Sequence, residues 1–257
     1  MALSRTRGAS RSGGVMKMTN GPAQLHVLIS GGFAGAYEKL LPEFMRTSGI
    51  KVTTGSGASQ GTGPQTIAAQ LARGVKADVV ILSREGLAEL IAANRILAGT
   101  DADLAQVGLG VAIRAGTPKP DVRTVEAFKQ FLLKAKTIAV PASTSGIWLT
   151  ADLFPRLGIA DQIEVRKTPR GSDAAAMVAA GGAAVAVMPD SEIMVAPGLD
   201  YAGSLAPEIQ FMQIFSAAVV VGSGQIEGAG RLIELLASAR AAEAIKASGM
   251  EPLAASR

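Results

Sequence analysis

The chain has no cysteine and a single histidine, His26. Without cysteine, disulfide bonds, thiolate zinc sites and cysteine nucleophiles are all excluded. With one histidine, a multi-histidine metal site is impossible, and a serine–histidine–aspartate relay would have to include His26. We therefore expect a protein whose chemistry requires neither a metal ion nor a cofactor.

Aromatic residues and long apolar runs are also scarce. The run AAAMVAAGGAAVAVM, residues 174–188, is too short and too interrupted by glycine to span a bilayer. Aromatic residues make up 4% of the chain, whereas 48% of its residues are apolar and 30 are glycine. This composition is typical of a compact α/β protein with close helix–sheet packing, and we expect no insertion into a membrane.

An excess of positive charge is confined to the beginning of the chain. The formal net charge is +4, and the opening segment has no acidic residue but four basic ones, namely Arg5, Arg7, Arg11 and Lys17. Residues 18–257 therefore contain 21 basic and 21 acidic residues. A body without excess positive charge does not predict a nucleic-acid partner.

The opening segment does not resemble a secretory signal, because it lacks an apolar stretch and a small-residue cleavage site. We predict a disordered basic tail over residues 1–24, with Met16 and Met18 as alternative start sites. As the sequence stands, we expect a cytoplasmic protein. If a signal peptide was lost upstream, the expected location is the periplasm.

Strand-like and helix-like segments alternate along the chain in two series. The first series extends from LHVLIS (25–30) to the helix that follows ADVVILS (77–83), and the second from GLGVAIRAG (108–116) to AAVAVM (183–188). Such alternation predicts parallel sheets covered by helices, and the two series predict two lobes joined by more than one crossing. Because ligands of open α/β sheets bind beyond the carboxyl ends of the strands, we expect a ligand cleft between the lobes.

Four turns between a strand and a helix are rich in glycine and hydroxyl residues. Backbone amides at such turns, together with the positive ends of helices, favour a small oxyanion or carboxylate. The candidate ligand-binding residues are Ser30, Gly31, Gly32 and Phe33 in the first turn, Ser56, Ser59 and Gln60 in the second, Ser143, Ser145 and Gly146 in the third, and Arg170 in the fourth. Each turn could instead be a tight turn or a helix cap that binds nothing.

These turns do not match nucleotide-binding motifs. The glycines of the first turn, Gly31, Gly32 and Gly35, do not have the spacing G-x-G-x-x-G, and no acidic residue follows the second strand. The second turn lacks the lysine of a Walker motif. A dinucleotide or a nucleoside triphosphate is therefore not expected.

Several segments between residues 25 and 252 resemble a known family: LISGGF, GSGAS, ADVVIL, GLGVAIRAGTPKPDVRT, TSGIWL, LFPRLGI and PDSEI. The family is that of the periplasmic molybdate-binding proteins of ABC importers, a branch of the type II periplasmic-binding fold. The position of the family's oxyanion-binding serine is occupied here by Gly32, and the position of its tyrosine falls near Met188. The segments SGGF, AIRAGTPKPD, LFPRLGI and SEI are more similar to the aconitate-isomerase-like subgroup of this fold.

The resemblance implies a two-lobe α/β fold of the type II periplasmic-binding type, with the chain crossing near 104–110 and near 195–205. We accordingly assign residues 25–105 together with 200–257 to lobe 1, and residues 106–199 to lobe 2.

Similarity to the subgroup implies that the protein isomerises a tricarboxylate or a similar unsaturated acid by shifting a proton next to a double bond. Such a reaction needs a base and groups that stabilise an enolate-like intermediate. The candidates for proton transfer are Asp190, Glu192 and His26, with Glu38 as a further possibility that is more typical of a solvated helix residue. The candidates for binding substrate carboxylates are Arg84, Arg114 and Arg170, any of which could instead be a surface charge.

The alternative function is a non-catalytic receptor for molybdate-like oxyanions that delivers its ligand to an ABC permease. The absence of an export signal favours the enzyme over this receptor. A ligand-sensing domain is a third possibility, which the lack of a DNA-binding module disfavours.

Overall fold

The computed structural model describes residues 24–253, and its strands form two sheets. The predicted tail over 1–24 lies outside the described residues, apart from Gln24, which begins the first strand. The strands of the described residues are β1 (Gln24–Ile29), β2 (Lys51–Ser56), β3 (Val79–Ser83), β4 (Ala102–Val107), β5 (Leu109–Arg114), β6 (Thr137–Pro141), β7 (Glu164–Thr168), β8 (Val185–Pro189), β9 (Leu199–Ser204), β10 (Gln213–Val219) and β11 (Glu251–Pro252).

Helices connect most of these strands. They are α1 (Gly31–Ser48), α2 (Ile67–Ala72), α3 (Arg84–Ala92), α4 (Val125–Ala135), α5 (Thr144–Trp148), α6 (Phe154–Arg156), α7 (Gly171–Ala179), α8 (Asp190–Ile193), α9 (Ile226–Leu236) and α10 (Ala242–Lys246). A π-helical turn, Leu149–Leu153, joins α5 to α6. No helix within residues 24–253 combines the length and the apolar character required to cross a membrane.

Both sheets are mixed, whereas the sequence pattern predicted parallel sheets. The sheet of lobe 1 has the order β11-β4-β10-β3-β1-β2, in which β1 is parallel to β2 and β3 while β10 is antiparallel to β3 and β4. The sheet of lobe 2 has the order β7-β6-β8-β5-β9, in which β5 is antiparallel to β8 and β9. The antiparallel pairings arise because β5 and β10 directly follow the two places where the chain changes lobe.

The chain passes between the lobes at two adjacent points. The first crossing is at Gly108, between the end of β4 and the start of β5, and the second lies between β9 and β10. The side chain of Gln210 joins the crossings, since its Oε1 accepts from the Leu109 amide at 2.7 Å and its Nε2 donates to the Leu109 carbonyl at 3.1 Å. The predicted lobe boundary at residue 200 falls inside β9, which pairs with β5 in the sheet of lobe 2.

The core of lobe 1 explains why β1 is apolar along almost its whole length. Leu25, Val27 and Ile29 face the cluster formed by α1 and α9, whereas Leu28 faces α2 and α3. Helix α1 follows directly and ends at Gly49, whose φ of 71° is the left-handed conformation that glycine adopts without strain. The sheet is thus buried on both faces, and the first turn of α1 is fixed at the carboxyl end of β1.

Lobe 2 repeats this arrangement with α4 on one face and α7 on the other. Phe128 and Leu132 of α4 are fully buried against one side of the sheet, and Ala174 and Val178 of α7 pack against the opposite side. Thr124 caps α4, because its hydroxyl accepts from the Ala127 amide at 3.1 Å. The small residues of α7 let that helix lie close to the sheet.

Candidate functional site

A cavity of about 140 Å³ lies between the two lobes, at the carboxyl ends of their strands. The four turns that the sequence singled out all contribute to it. The lining residues are Ser30 and Gly31 after β1, Ser56, Gly57, Ala58 and Ser59 at the end of β2 and beyond, Pro141, Ser143 and Ser145 at the end of β6 and beyond, Arg170, Gly171 and Ser172 after β7, Glu192 after β8, and Gln213 and Phe215 on β10.

On the lobe 1 side of the cavity, two serine hydroxyls can still form a hydrogen bond with a ligand. Ser30 is 4% exposed, and its Oγ has no hydrogen-bond partner among the described residues. The Oγ of Ser59 accepts from the Ser83 amide at 2.9 Å, which leaves the Ser59 hydroxyl proton available for donation. Buried polar groups are normally satisfied, so the unpartnered Ser30 hydroxyl indicates the place of a polar ligand.

The third turn both lines the cavity and ties the lobes together. The Ser143 hydroxyl accepts from the amide of Gln60 at 3.1 Å, and the hydroxyls of Thr144 and Ser83 lie 2.7 Å apart. Ser145 is 2% exposed and lies in the first turn of α5. The lobes are therefore in direct contact beside the cavity.

Glycine at position 146 and glutamine at position 60 have structural explanations. A Cβ on Gly146 would stand 1.8 Å from the Pro141 carbonyl oxygen, so glycine lets α5 begin directly against β6. The Gln60 side chain turns away and donates to Glu89 at 2.5 Å, while only its backbone amide reaches the third turn. Neither residue lines the cavity.

Arg170 is the cation of the cavity wall. Its Nε and Nη2 donate to the Asp173 carboxylate, each at 3.3 Å. Its Nη1 donates to the Ser56 hydroxyl of lobe 1, also at 3.3 Å. The guanidinium thus bridges the cleft while keeping part of its charge exposed to a ligand.

The carboxyl group of Glu192 lies at the first residues of two helices. A Cβ on Gly31 would stand 2.9 Å from Glu192 Oε2, and a Cβ on Gly171 would stand 1.9 Å from the same oxygen. Burial raises the pKa of Glu192 to about 7, and the positive charge of Arg170 opposes the increase. The cavity therefore holds a carboxyl that changes protonation near neutral pH.

Two lining residues on β10 were not identified from the sequence. Gln213 is 4% exposed, and its Oε1 has no partner among the described residues. Phe215 is 1% exposed, and its ring lies so close to Gly32 that a Cβ there would stand 2.1 Å from the ring. The sequence feature that could have indicated this site is Gln213, a polar residue within the mostly apolar segment IQFMQIFSAAVVVG. Gly57 and Ser172 also line the cavity without having been singled out.

His26 is not part of this cavity. It lies near the amino end of β1, where its Nδ1 is 3.3 Å from Asp78 Oδ2 and its backbone amide donates to the same oxygen at 2.8 Å. The second oxygen of Asp78 accepts from Ser223 at 2.6 Å. Because β1 runs towards the cleft, a residue near its amino end lies at the opposite edge of the sheet.

Asp190 is also outside the lining. Its carboxylate packs over Gly110 of β5, where a Cβ would stand 2.0 Å from Asp190 Oδ1, and it accepts from Ser204 at 3.3 Å. Burial raises the pKa of Asp190 to about 6, while hydrogen bonds from Ser204 and Tyr201 oppose the increase. Asp190 thus lies behind the cleft, beside the crossings of the chain.

The remaining candidates are also placed away from the cavity. Arg84 is paired with Asp101 and Asp103, at 2.8 and 2.7 Å. The others lie in the two cores or on the surface: Phe33 and Met188 are fully buried, Gly32 lies under the Phe215 ring, and Arg114 and Glu38 are exposed. Within residues 24–253, no group of three or more histidine, cysteine, aspartate or glutamate side chains could hold a metal ion.

Comparison with known proteins confirms the predicted resemblance. A family model described as bacterial extracellular solute-binding protein matches residues 25–251. An aconitate isomerase from Pseudomonas sp. is 36% identical over 233 residues, which cover 90% of this chain and 88% of that protein.

Solved structures confirm the two-lobe fold. The periplasmic molybdate-binding protein of Azotobacter vinelandii matches 88% of this chain and 98% of its own, with a TM-score of 0.64 and 19% identity. The sulfate-binding protein SubI of Mycobacterium tuberculosis matches 90% of this chain and 87% of its own, with a TM-score of 0.72 and 18% identity. At such identities the likeness concerns the fold alone.

Proposed function

Because the chain belongs to the bacterial extracellular solute-binding protein family, we propose that it binds a small carboxylate between its lobes and that it isomerises this ligand. The reaction is the shift of a proton and a double bond in an unsaturated organic acid of the aconitate type. The aconitate isomerase that is 36% identical over most of both chains supports this assignment.

The observation that carries the proposal is the position of Glu192. Its carboxyl borders the cavity and has a pKa raised to about 7 by burial. A group that titrates near the working pH serves both as a base and as an acid. Among the lining residues, Glu192 is the one acidic residue and Arg170 is the one positively charged residue.

The mechanism follows from this single carboxyl. The Glu192 carboxylate removes a proton from the carbon next to a substrate carboxylate, and the electron pair of the broken C–H bond delocalises into that carboxylate. The double bond then moves by one position as the protonated Glu192 returns the proton to the far allylic carbon. One proton leaves and one proton returns, so the isomerisation needs no co-reactant.

The other lining groups suit the negative charge of the intermediate. The hydroxyls of Ser30, Ser59 and Ser145 and the amino ends of α1 and α7 supply neutral donors around the cavity. Arg170 adds a positive charge from lobe 2. Fixed donors of this kind stabilise a developing oxyanion more strongly in a closed site than in water.

The test is to incubate the protein with cis- and trans-aconitate and to follow ultraviolet absorbance. We expect interconversion, and we expect Glu192→Gln to lower kcat by about 10² to 10⁴-fold, the usual contribution of an acid–base group. Glu227→Gln, an exposed change at the start of α9, is the matched control. No interconversion by the wild-type protein would contradict the proposal.

A second function is supported by the unpartnered Ser30 hydroxyl, which as a donor also suits an inorganic oxyanion. The protein would then be a periplasmic receptor that passes its ligand to an ABC permease, and the extracellular description of the family agrees with that location. Tight binding of molybdate or sulfate in calorimetry, without isomerisation of aconitate, would favour the receptor.

A further inference from the structure

The Glu192 carboxyl occupies a slot between two glycines that belong to different lobes. Gly31 is the first residue of α1, and Gly171 is the first residue of α7. A Cβ on Gly171 would stand 1.9 Å from Glu192 Oε2 and 2.6 Å from Glu192 Cδ, and a Cβ on Gly31 would stand 2.9 Å from Oε2. Since non-bonded atoms do not approach so closely, neither position can hold a side chain while the carboxyl stays in place.

The backbone gives no other reason for glycine at these two positions. Neither Gly31 nor Gly171 has a positive φ. Both lie at helix starts, where alanine is tolerated at least as well as glycine. The space that each glycine leaves is filled by the Glu192 carboxyl, so the absent side chains fix the position of that group.

We propose that Gly31 and Gly171 are positioning residues, which together hold the Glu192 carboxyl where it transfers the proton. This inference rests on the proposed function. Gly171 is on the same lobe as Glu192, whereas Gly31 comes from the opposite lobe. The slot is therefore complete only when the lobes are closed, and closure itself places the base.

Enclosure in the slot, and not the surrounding charges, makes the protonation of Glu192 depend on closure. From the α7 side, Arg170 faces the carboxyl and is itself paired with Asp173. The first turn of α1 contains no acidic residue. On α8 itself, the Asp190 carboxylate lies over Gly110 and away from the slot. Enclosure is thus the main influence that raises the pKa of Glu192, and displacement from the slot lowers it.

The experiment compares Gly31→Ala and Gly171→Ala with Gly35→Ala. Gly35 lies on α1, where a Cβ meets its nearest atoms at ordinary distances of 3.4 Å and more. We measure kcat, KM and the pH dependence of kcat/KM for aconitate. In parallel, carbon-13 NMR of glutamate-labelled protein follows the titration of Glu192, whose signal is assigned from its absence in Glu192→Gln.

We expect Gly171→Ala to lose on the order of 10²-fold in kcat, because a displacement of about 1 Å has this effect. Gly31→Ala should lose less, because its Cβ would stand 2.9 Å from Glu192 Oε2, against 1.9 Å for Gly171. Their KM should change less than threefold, the acidic limb of the pH profile should move to lower pH, and the pKa of Glu192 should fall. Gly35→Ala should match the wild type in all four measurements. A merely structural defect would lower stability without moving the pH profile.

The outcomes separate the two proposals. If the wild-type protein does not isomerise aconitate, the proposed function fails, and the NMR titration alone decides whether the slot exists. If the pKa of Glu192 is the same in the wild type and in both glycine variants, the proposal that Gly31 and Gly171 position this carboxyl is overturned. Equal kcat in all variants of an active protein, or an equal loss in Gly35→Ala, would also overturn it.

Discussion

Replacing Glu192 by glutamine should make the folded protein more stable at pH 8 and leave its stability at pH 4 unchanged. Burial raises the pKa of Glu192 from 4.5 to about 7. The folded state therefore disfavours the charged carboxylate relative to the unfolded chain, where the group has its ordinary pKa. Glutamine has nearly the same shape but no charge, so this disadvantage disappears in the variant.

The sign and size of the effect follow from proton linkage. Between pH 4.5 and 7 the folded state binds more protons than the unfolded state, so the stability of the wild-type protein falls as pH rises through this window. Each tenfold change in an ionisation constant corresponds to about 1.4 kcal/mol, which gives an upper limit of about 3 kcal/mol. Because the Glu192 side chain keeps some exposure, we expect a gain of about 2 kcal/mol for Glu192→Gln at pH 8.

The assay is urea denaturation of both proteins at pH values from 4 to 8. The difference in their free energies of unfolding should grow between pH 4.5 and 7 and then stay constant. Asp190→Asn provides a comparison, because burial raises the pKa of Asp190 from 3.8 to about 6. The pH range over which this carboxyl changes the free energy of unfolding is therefore lower than the range for Glu192. If the free energies of unfolding of the wild type and Glu192→Gln differ by the same amount at every pH from 4 to 8, the carboxyl is not buried. The argument that Glu192 acts as a base then fails as well.

Three further changes test other parts of the structure. Gly32→Ala forces a methyl group against the buried ring of Phe215, and urea denaturation should show a loss of about 1 to 3 kcal/mol, whereas Gly230→Ala, with open space around it, should not destabilise the protein. Gln210→Ala removes the oxygen that accepts from the Leu109 and Phe211 amides and should lower the free energy of unfolding by about 1 to 3 kcal/mol in the same assay. Ser30→Ala should leave stability unchanged but weaken the binding of a carboxylate ligand by about three- to tenfold in calorimetry, and unchanged affinity would exclude that hydroxyl from the site.

The convergence of the turns was predictable from the sequence because it depends on local patterns. Apolar runs such as ADVVILS, 77–83, predicted buried strands, and the glycine and hydroxyl residues that follow the strands predicted turns. Parallel strands that alternate with helices end at the same edge of a sheet. Residues as distant in sequence as Ser30 and Ser143 could therefore be assigned to one cleft.

The positions of β4 and β10 could not be predicted in this way. The segment ADLAQV of β4 has little strand propensity, and its extended state depends on pairing with β10 and β11. Gln213 reaches the cavity because β10 is antiparallel to β3, which brings the start of β10 to the edge where β3 ends. Pairing between residues far apart in sequence leaves no periodic signal in either segment.

The sequence also could not distinguish Asp190 from Glu192. Both residues follow the strand AVAVMP. If the chain stayed extended there, side chains two residues apart would point in the same direction. The structure places them on a short helix, α8, where residues two apart face different sides. Glu192 consequently borders the cavity, whereas Asp190 turns towards Gly110.

The position of Glu192 is also the physical reason for favouring an isomerase over a receptor. Two negative charges about 4 Å apart repel by about 4 kcal/mol at an effective dielectric constant of about 20. When Glu192 is charged, its carboxylate beside the Ser30 and Ser145 hydroxyls therefore weakens the binding of an anion. When Glu192 is protonated, the repulsion disappears, but the carboxyl does not attract the anion as a cation would. Such a group is an advantage where its proton takes part in the chemistry. In an isomerase, Glu192→Gln should therefore bind an inert polycarboxylate more tightly at pH 8 while losing turnover, because the charge that opposes the ligand is also the base that acts on it.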